Sequence, residues 1–558
     1  MFTAKAVLAI TLSLSFATPT FAAATDPIFG TVDASGPGCA AGAMRGGKIV
    51  YTGAYGLADL EHKTPLTGAS LFNMASVSKQ FTAFTVLQLQ QEGLLKLTDP
   101  VRKYIPELGA FANDITLYQL LTHTGGVRDF VAMGEIAGTS PETSMTEQAF
   151  MDIMTRQTAG DFVPGTSFVY GNSDYVLLSL VVKRVSGQTL NAAARKRIFA
   201  PLGMKHSIFR HDHHAAIPGM ATGYAMKDGA WQAANDGQDV VGGSGLYSSI
   251  DEMLLWAKNF HQPVIGADAL ATMETRGTLS TGQQTSYGMG LVPLPYRGLK
   301  VVAHNGSLKG YRSSFQVFPD QDFAAIVLCN SGSANPEQII SRLADTYLAD
   351  RFAGAAASAA GGASQSATKS TVQSASKSVP TSALLDAYVG DYVRDSGYGI
   401  SITRKGDQLV WRATGLAEFP LTTVSQNSFL LNATATQYSF AAPGADGHAA
   451  SLEAVSPSRH SVLTRIALPP LSQAELDGYA GHYASAELGT AIDIVVRDGA
   501  LVLHAPTQEK RLLRIAADAF SADYPFGSVR FARDGKGITG FVVNGAIKNL
   551  HFDKTSAP

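Results

Sequence analysis

Apolar and polar positions change period several times along the 558 residues. Val77 to Gln91 carries helical spacing and is ended by Gly93. Ala40 to Met44 and Ile49 to Tyr51 read as strands joined across Arg45-Gly46-Gly47-Lys48, an opening hairpin. Val301 to Ala303, Ser313 to Phe318 and Phe323 to Leu328 read as three further strands separated by Gly and Asp turns. Strands at both ends with helices between them predict an α+β domain, an antiparallel sheet closed by its C-terminal strands and flanked by helices.

From about residue 353 to 381 the chain is Ala-, Gly- and Ser-rich without an aromatic residue, a composition that cannot build a packed core and reads as a linker. Beyond it the sequence repeats. Leu385-Asp386-Ala387-Tyr388-Val389-Gly390-Asp391-Tyr392 matches Leu476-Asp477-Gly478-Tyr479-Ala480-Gly481-His482-Tyr483. Each copy is followed by a hairpin pattern: Ile400–Thr403 with Leu409–Trp411, then Ile492–Val496 with Leu501–Leu503. Short strands with Gly/Asp turns predict two small antiparallel β-barrel-like domains, residues 382–470 and 471–558. The large domain then spans 25–352.

Composition narrows the class. Lys plus Arg number 43 against 45 for Asp plus Glu, a net charge of -2, with mean hydropathy +0.06 and 45% hydrophobic residues. No basic block exists to neutralise phosphates, which excludes nucleic acid as a partner. Lys5, the apolar stretch Ala6–Ala17 and the small residues around Ala22-Ala23-Ala24 read as a signal peptide over residues 1–24, so the expected location is periplasmic or secreted. That run is too short to span a bilayer and no later one is longer, so no integral membrane segment is expected in the mature protein. The two cysteines, Cys39 and Cys329, fall on strands that antiparallel pairing could bring together; a disulfide and two buried thiols both remain open.

Ser76-Val77-Ser78-Lys79 opens the predicted helix, and i,i+3 spacing puts hydroxyl and amine on one face. A lysine with a burial-lowered pKa can take the serine proton. The motif alone discriminates poorly, since it recurs at Ser366–Lys369 and Ser374–Lys377 in the linker. Tyr170-Gly171-Asn172 and His304-Asn305-Gly306 follow in order. Several bland readings stand beside these motifs: His123-Thr124-Gly125 as a structural turn, Tyr175 as helix packing, and His211, His213 and His214 as solvated surface lacking a partner cluster for metal.

The ordered set Ser76-x-x-Lys79, Tyr170-x-Asn172, His304-x-Gly306 resembles the penicillin-recognising serine hydrolases, in particular the class C β-lactamase and D-aminopeptidase branch. Leu120–Gly126, Pro201–Met204, Gly242–Ser248 and Gly310–Ser314 resemble that family's connecting segments. The resemblance implies a β-lactamase/transpeptidase-like domain with no cofactor and no metal, and a small-molecule or short-peptide substrate. In it Ser76 is the nucleophile, Lys79 and Tyr170 share acid–base work, and His304 stands in the third motif. Asn172 binds the acyl part of the substrate, Ser307 and Ser76 N–H groups form an oxyanion hole, and Gly306 lets the substrate lie along the strand edge. His304 replaces the fixed charge of a Lys-Thr-Gly motif, which favours amidase, peptidase or esterase chemistry over β-lactamase. A D-aminopeptidase-like enzyme is the leading expectation. Carboxylesterase, β-lactamase or D,D-carboxypeptidase are the alternatives, and a β-lactam-binding sensor is the non-enzyme one. The three-domain layout is similar to that of D-aminopeptidases, implying that the last domain gates the site. Asp518 and Asp523 are candidate carboxylate partners for a substrate amine, beside the favoured reading of that stretch as a surface loop.

Overall fold

The computed structural model describes residues 25–31, 34–139, 143–234, 236–352, 380–394, 397, 399–413, 418–434, 436–456 and 459–556. The expected signal segment and nearly all of the expected linker lie outside the described residues.

A six-stranded antiparallel sheet organises the first domain. Its strands in chain order are β1 (Cys39–Arg45), β2 (Lys48–Tyr55), β3 (Val292–Tyr296), β4 (Leu299–Leu308), β5 (Tyr311–Phe318) and β6 (Phe323–Cys329), arranged β3-β4-β5-β6-β1-β2. The predicted hairpin is β1–β2, with Gly46 and Gly47 both at positive φ in a turn whose twist matches the strands. Pairing of β6 with β1 closes the N-terminal hairpin onto the C-terminal strands, as the sequence pattern implies. One face of the sheet packs on α5 (Pro336–Leu348) and the other on α4 (Ile250–His261). The helical half contains α1 (Lys79–Gln91), α2 (Phe130–Ala137) and α3 (Asn172–Ser186). Ten of the thirteen α1 residues are buried, so the sequence there reads as a nearly all-round core helix rather than an amphipathic one.

Cys39 and Cys329 face each other in register on β1 and β6 and are bonded, S–S 2.05 Å, which settles the open alternative in favour of the disulfide. The bond joins positions 290 residues apart. Cys39→Ser with Cys329→Ser, or full reduction, is expected to lower unfolding stability by about 2–5 kcal/mol, because the cross-link restricts the unfolded chain. An unchanged denaturant midpoint after complete thiol exposure would contradict this.

Each repeat builds one nine-stranded antiparallel sheet. In the first, the two outermost strands, Phe419–Pro420 and Thr422–Thr423, are separated in sequence only by buried Leu421. In the second, Gln508–Arg511 and Leu513–Ala516 flank Leu512 in the same way. The two edges of each sheet are therefore consecutive pieces of chain, and the sheet curls into a nearly closed barrel. The repeated tyrosine pair has one job in both copies: Tyr392 Oη donates to the Tyr388 carbonyl at 3.0 Å and Tyr483 Oη to the Tyr479 carbonyl at 2.6 Å. The copies differ in their packing. The first has its own core around Tyr392 and Trp411, whereas the second is continuous with the core of the helical half of the first domain.

Candidate active site

Ser76 sits in a 3-10 turn, Ala75–Ser78, between a short strand and α1. Ala75 before it takes φ +48°, a conformation disfavoured for a residue with a Cβ. Three bonds hold that turn: Ala75 N–H donates to Asn73 Oδ1 at 2.9 Å, Met74 N–H to the Leu246 carbonyl at 2.8 Å, and Ser313 Oγ to the Met74 carbonyl at 2.8 Å. The serine is thus fixed by its own local sequence and by two distant segments.

Lys79 is completely buried. Its Nζ donates to the Gly243 carbonyl at 2.8 Å and to Asn172 Oδ1 at 2.9 Å, and lies 3.3 Å from Ser76 Oγ. Two strong acceptors aim the amine, and the third direction is the serine. Burial lowers its pKa to about 7, opposed by the negative charge of Asp129. The Gly243 carbonyl can reach the amine because Gly242 takes φ +117° and a Cβ there would collide with the Tyr175 carbonyl. The Gly-Gly-Ser-Gly segment therefore serves the lysine.

Tyr170 presents its ring to the cavity, 38% exposed, and stands over Lys79 with 4.7 Å from Nζ to the ring centre. Dense protein around the hydroxyl pushes its pKa well above the ordinary tyrosine range, partly offset by a hydrogen bond with Ser76. Asn172 is the first residue of α3. Gly171 at the cap position has no side chain, and the Asp129 carboxylate from another segment accepts from both Asn172 N–H and Nδ2 instead.

His304 lies on β4, buried, with both ring nitrogens engaged. Nδ1 donates to the Asn305 carbonyl at 2.7 Å, which leaves Nε2 to accept from Tyr287 Oη at 2.9 Å. Burial, aided by the charge of Lys79, lowers its pKa to about 3, so the imidazole is neutral throughout the physiological range. Neither nitrogen is free to move a proton to substrate.

Beyond Ala303, β4 pairs with β5 alone, so its other edge borders the cavity. His304, Gly306 and Ser307 line that cavity together with Ser76, Tyr170 and Asn172; its volume is about 1400 Å³. Of the residues named in the three ordered motifs Ser76-x-x-Lys79, Tyr170-x-Asn172 and His304-x-Gly306, only Lys79, buried behind the wall, does not border this one space. Position 306 has a structural reason to be glycine beside the expected substrate approach. A Cβ at Gly306 would point into the turn that carries the nucleophile, 2.5 Å from the Met74 carbonyl and 2.9 Å from Ala75 Cβ, besides striking Ser313 Oγ. Strand-to-turn packing therefore requires the hydrogen side chain.

Other expectations change as well. His123 is no mere turn residue: it is fully buried beneath Tyr170, with ring centres 4.5 Å apart, and its Nδ1 lies 2.6 Å from Asp174 Oδ2. Gly171 N–H also points at Nδ1, at 3.3 Å. Burial pushes His123 well below and Asp174 well above their usual ranges. Tyr175 packs as expected, its hydroxyl on the Leu121 carbonyl. The histidine run does acquire a partner: Asp239 receives His213 N–H and Nδ1, and with Asp212 forms a group whose ligand atoms lie within 4.8 Å of one another. No sequence spacing announces that pairing. Asp518 is engaged within the second barrel by Tyr479 Oη at 2.6 Å and Arg533 Nε at 2.8 Å, and neither it nor Asp523 lines the cavity. Among the described residues the cavity's acidic groups are Glu135, Asp236 and Glu337, all from the first domain. The last domain reaches Glu135 with Tyr524, whose hydroxyl bonds its side chain, and with Gln508, whose Nε2 donates to its carbonyl at 2.9 Å.

Sequence reasoning missed Asp129, Asp174 and Tyr287, and took Gly243, whose carbonyl holds the Lys79 amine, only as part of a connecting segment. Asp174 could have been found from its place two residues after Asn172 on the same helix; the others have no local signal, because they reach the site from loops brought in by tertiary packing.

Residues 25–350 match the Beta-lactamase family. The chain is 25% identical over 418 residues to penicillin-binding protein 4* of Bacillus subtilis (strain 168), covering 71% of this chain and 88% of the relative. It is 27% identical over 301 residues to a D-aminopeptidase of Gluconobacter oxydans (strain 621H), an alignment spanning 54% of this chain and 57% of that protein. In fold it is similar to the octameric penicillin-binding protein homologue from Pyrococcus abyssi, with a TM-score of 0.52 and 20% identity over 85% of this chain and 96% of the other. No helix among the described residues is long and apolar enough to cross a membrane. With the match extending over more than half of its length, the chain belongs to the Beta-lactamase family.

Proposed function

We propose that this serine hydrolase forms an acyl-enzyme on Ser76 and releases amino-terminal residues of D-configuration from short peptides and amides. The observation that carries the reading is the buried Lys79 amine, held by two acceptors and directed at Ser76 Oγ. In this reading neutral Lys79 takes the serine proton as Oγ attacks the carbonyl. Tyr170, hydrogen-bonded to Ser76, passes a proton to the leaving nitrogen. Water then attacks the ester with the same groups in reverse. Ser76 and Ser307 N–H groups stabilise the oxyanion, and Asn172 holds the acyl side. His304 acts as a neutral, doubly bonded wall that fixes the β4 edge.

The preference for a free amine is supported by Glu135, a carboxylate-bearing residue of the cavity lining, and by the 27% identical D-aminopeptidase. Arg312 supports a second reading, D,D-carboxypeptidase activity. It lines the same cavity, and among the described residues its guanidinium hydrogen-bonds backbone carbonyls, with the Glu337 carboxylate near it but not bonded, which leaves it donors for a substrate carboxylate. We propose export as well, which an oxidised Cys39–Cys329 pair supports. A panel of D-amino-acid amides, their L-isomers, D-Ala-D-Ala peptides and short-chain esters tests the assignment through relative kcat/KM. The D-amide is expected to lead, and Glu135→Gln to remove that lead. Preference for acyl-D-Ala-D-Ala would hand the assignment to the second reading, and equal rates on D- and L-amides would refute stereospecificity.

A further inference from the structure

The second barrel meets the catalytic half through a buried polar junction centred on Arg128, one of the largest side chains in the molecule with almost no exposure. Its Nη1 donates to Glu487 Oε1 at 2.8 Å and to Gln157 Oε1 at 2.8 Å. Nε donates to the Lys548 carbonyl at 3.1 Å and Nη2 to the Asn549 carbonyl at 2.6 Å. Glu487 Oε1 also accepts from Thr158 N–H and Oγ1, both at 2.8 Å, and Asp161 Oδ1 accepts from Lys548 N–H at 2.6 Å. Three of the Arg128 partners belong to the second barrel. A guanidinium buried with this many fixed acceptors is held rigidly, since removing one acceptor leaves an uncompensated charge.

The residue after Arg128 is Asp129, and its two carboxylate oxygens are divided. Oδ1 caps α2 through Val131 and Ala132 N–H, while Oδ2 accepts from Asn172 N–H and Nδ2. Asn172 Oδ1 in turn accepts from Lys79 Nζ. A continuous set of hydrogen bonds and one peptide link therefore runs from Glu487 in the second barrel to the amine beside Ser76.

We propose that Glu487 and Arg128 are positioning residues for catalysis: the second barrel clamps the Arg128–Asp129 segment, and that segment sets the orientation of Asn172 and hence of the Lys79 amine. The inference rests on the reading of Lys79 as the base. It differs from a gate over the cavity, because none of the junction residues lines it. Around Lys79 the charged and titratable groups are Asp129 and Asp174, both of which oppose the lowering of its pKa, neutral His304, and the rings of Tyr170 and Tyr175. Of these only Asp129 is tied to the junction. Loosening the clamp lets the Asp129 carboxylate retreat, which removes support for protonated Lys79 and moves the acid limb of the rate profile to lower pH.

The experiment uses the full chain with Glu487→Gln, which keeps shape and loses charge. Stopped labelling of Ser76 by a fluorophosphonate gives the fraction of competent molecules from its amplitude and the positioning from its rate, while kcat and KM are followed on a p-nitrophenyl ester from pH 5 to 9. The expected result is a labelling rate and kcat lowered about 10- to 100-fold per competent molecule, KM within about threefold, and the acid limb displaced downward. If Glu487→Gln does not unfold cooperatively, Thr158→Val, which removes one bond to Glu487, is read by the same criteria with a smaller rate loss. A wild-type rate with an unmoved limb overturns the proposal. So does loss of amplitude at unchanged rate, which is loss of folded protein alone. Wild-type protein that is not labelled at Ser76 refutes the Lys79–Ser76 reading instead, so the two failures are distinguishable.

Discussion

Lys79→Met is expected to lower kcat/KM by about 10⁴-fold, at the upper end of what a positioned proton-transfer group supplies. Methionine keeps the apolar stem that fills the core beneath Tyr170, and the substitution removes only the amine that faces Ser76. In the wild type the amine must be neutral to accept a proton. With burial holding its pKa near 7, kcat/KM therefore rises as pH increases through that value and levels off above it. In Lys79→Met the residual rate should lose this limb and follow hydroxide instead. Burial of a lysine is itself costly, so the substitution should leave the unfolding midpoint unchanged or raise it, despite the two acceptors, Gly243 O and Asn172 Oδ1, that lose their donor. A rate within tenfold of wild type would remove Lys79 from the chemistry and leave it a structural lysine.

Gly306→Ala is expected to cost kcat at least about 10²-fold while the protein stays folded. One methyl group is enough because the obstacle is backbone: the new Cβ would need room held by the Met74 carbonyl and Ala75 Cβ. That turn is already strained at Ala75 and is pinned by Ser313 Oγ, so it must shift and carry Ser76 away from Lys79. Substrate binding, governed by the far cavity walls, should change less than turnover. The comparison of kcat with KM on an activated ester reads this directly. An alanine variant with intact kcat and a raised KM would favour the view that position 306 is glycine for the sake of the substrate.

Much of the architecture was legible because it is local. Hairpins announce themselves by Gly-Gly and Asp-Gly turns, and the 91-residue repeat returns as two barrels with the same Tyr-to-carbonyl bond. Ser76, Lys79, Tyr170, Asn172, His304, Gly306 and Ser307 were found by order of motifs, although Ser-x-x-Lys occurs three times in the chain. The state of those residues was not legible. Full burial of Lys79 depends on Gly243 and α3, and the neutrality of His304 depends on its burial and on the charge of Lys79, which tertiary packing brings to it from a distant segment. The domain junction was invisible for the same reason, since Arg128 and Glu487 are 359 residues apart and neither has a motif around it. The candidacy of Asp518 shows the limit from the other side. A carboxylate in a polar turn of the last domain fits an amine-binding role by composition, yet Tyr479 and Arg533 within its own barrel already use it.

The central claim is that Ser76 becomes acylated through Lys79. Intact-mass measurement after incubation with a fluorophosphonate, with peptide mapping of the product, tests it most directly. The predicted result is a single adduct on the peptide containing Ser76, absent in Ser76→Ala and slowed by orders of magnitude in Lys79→Met; an adduct that persists undiminished in Ser76→Ala would contradict the account.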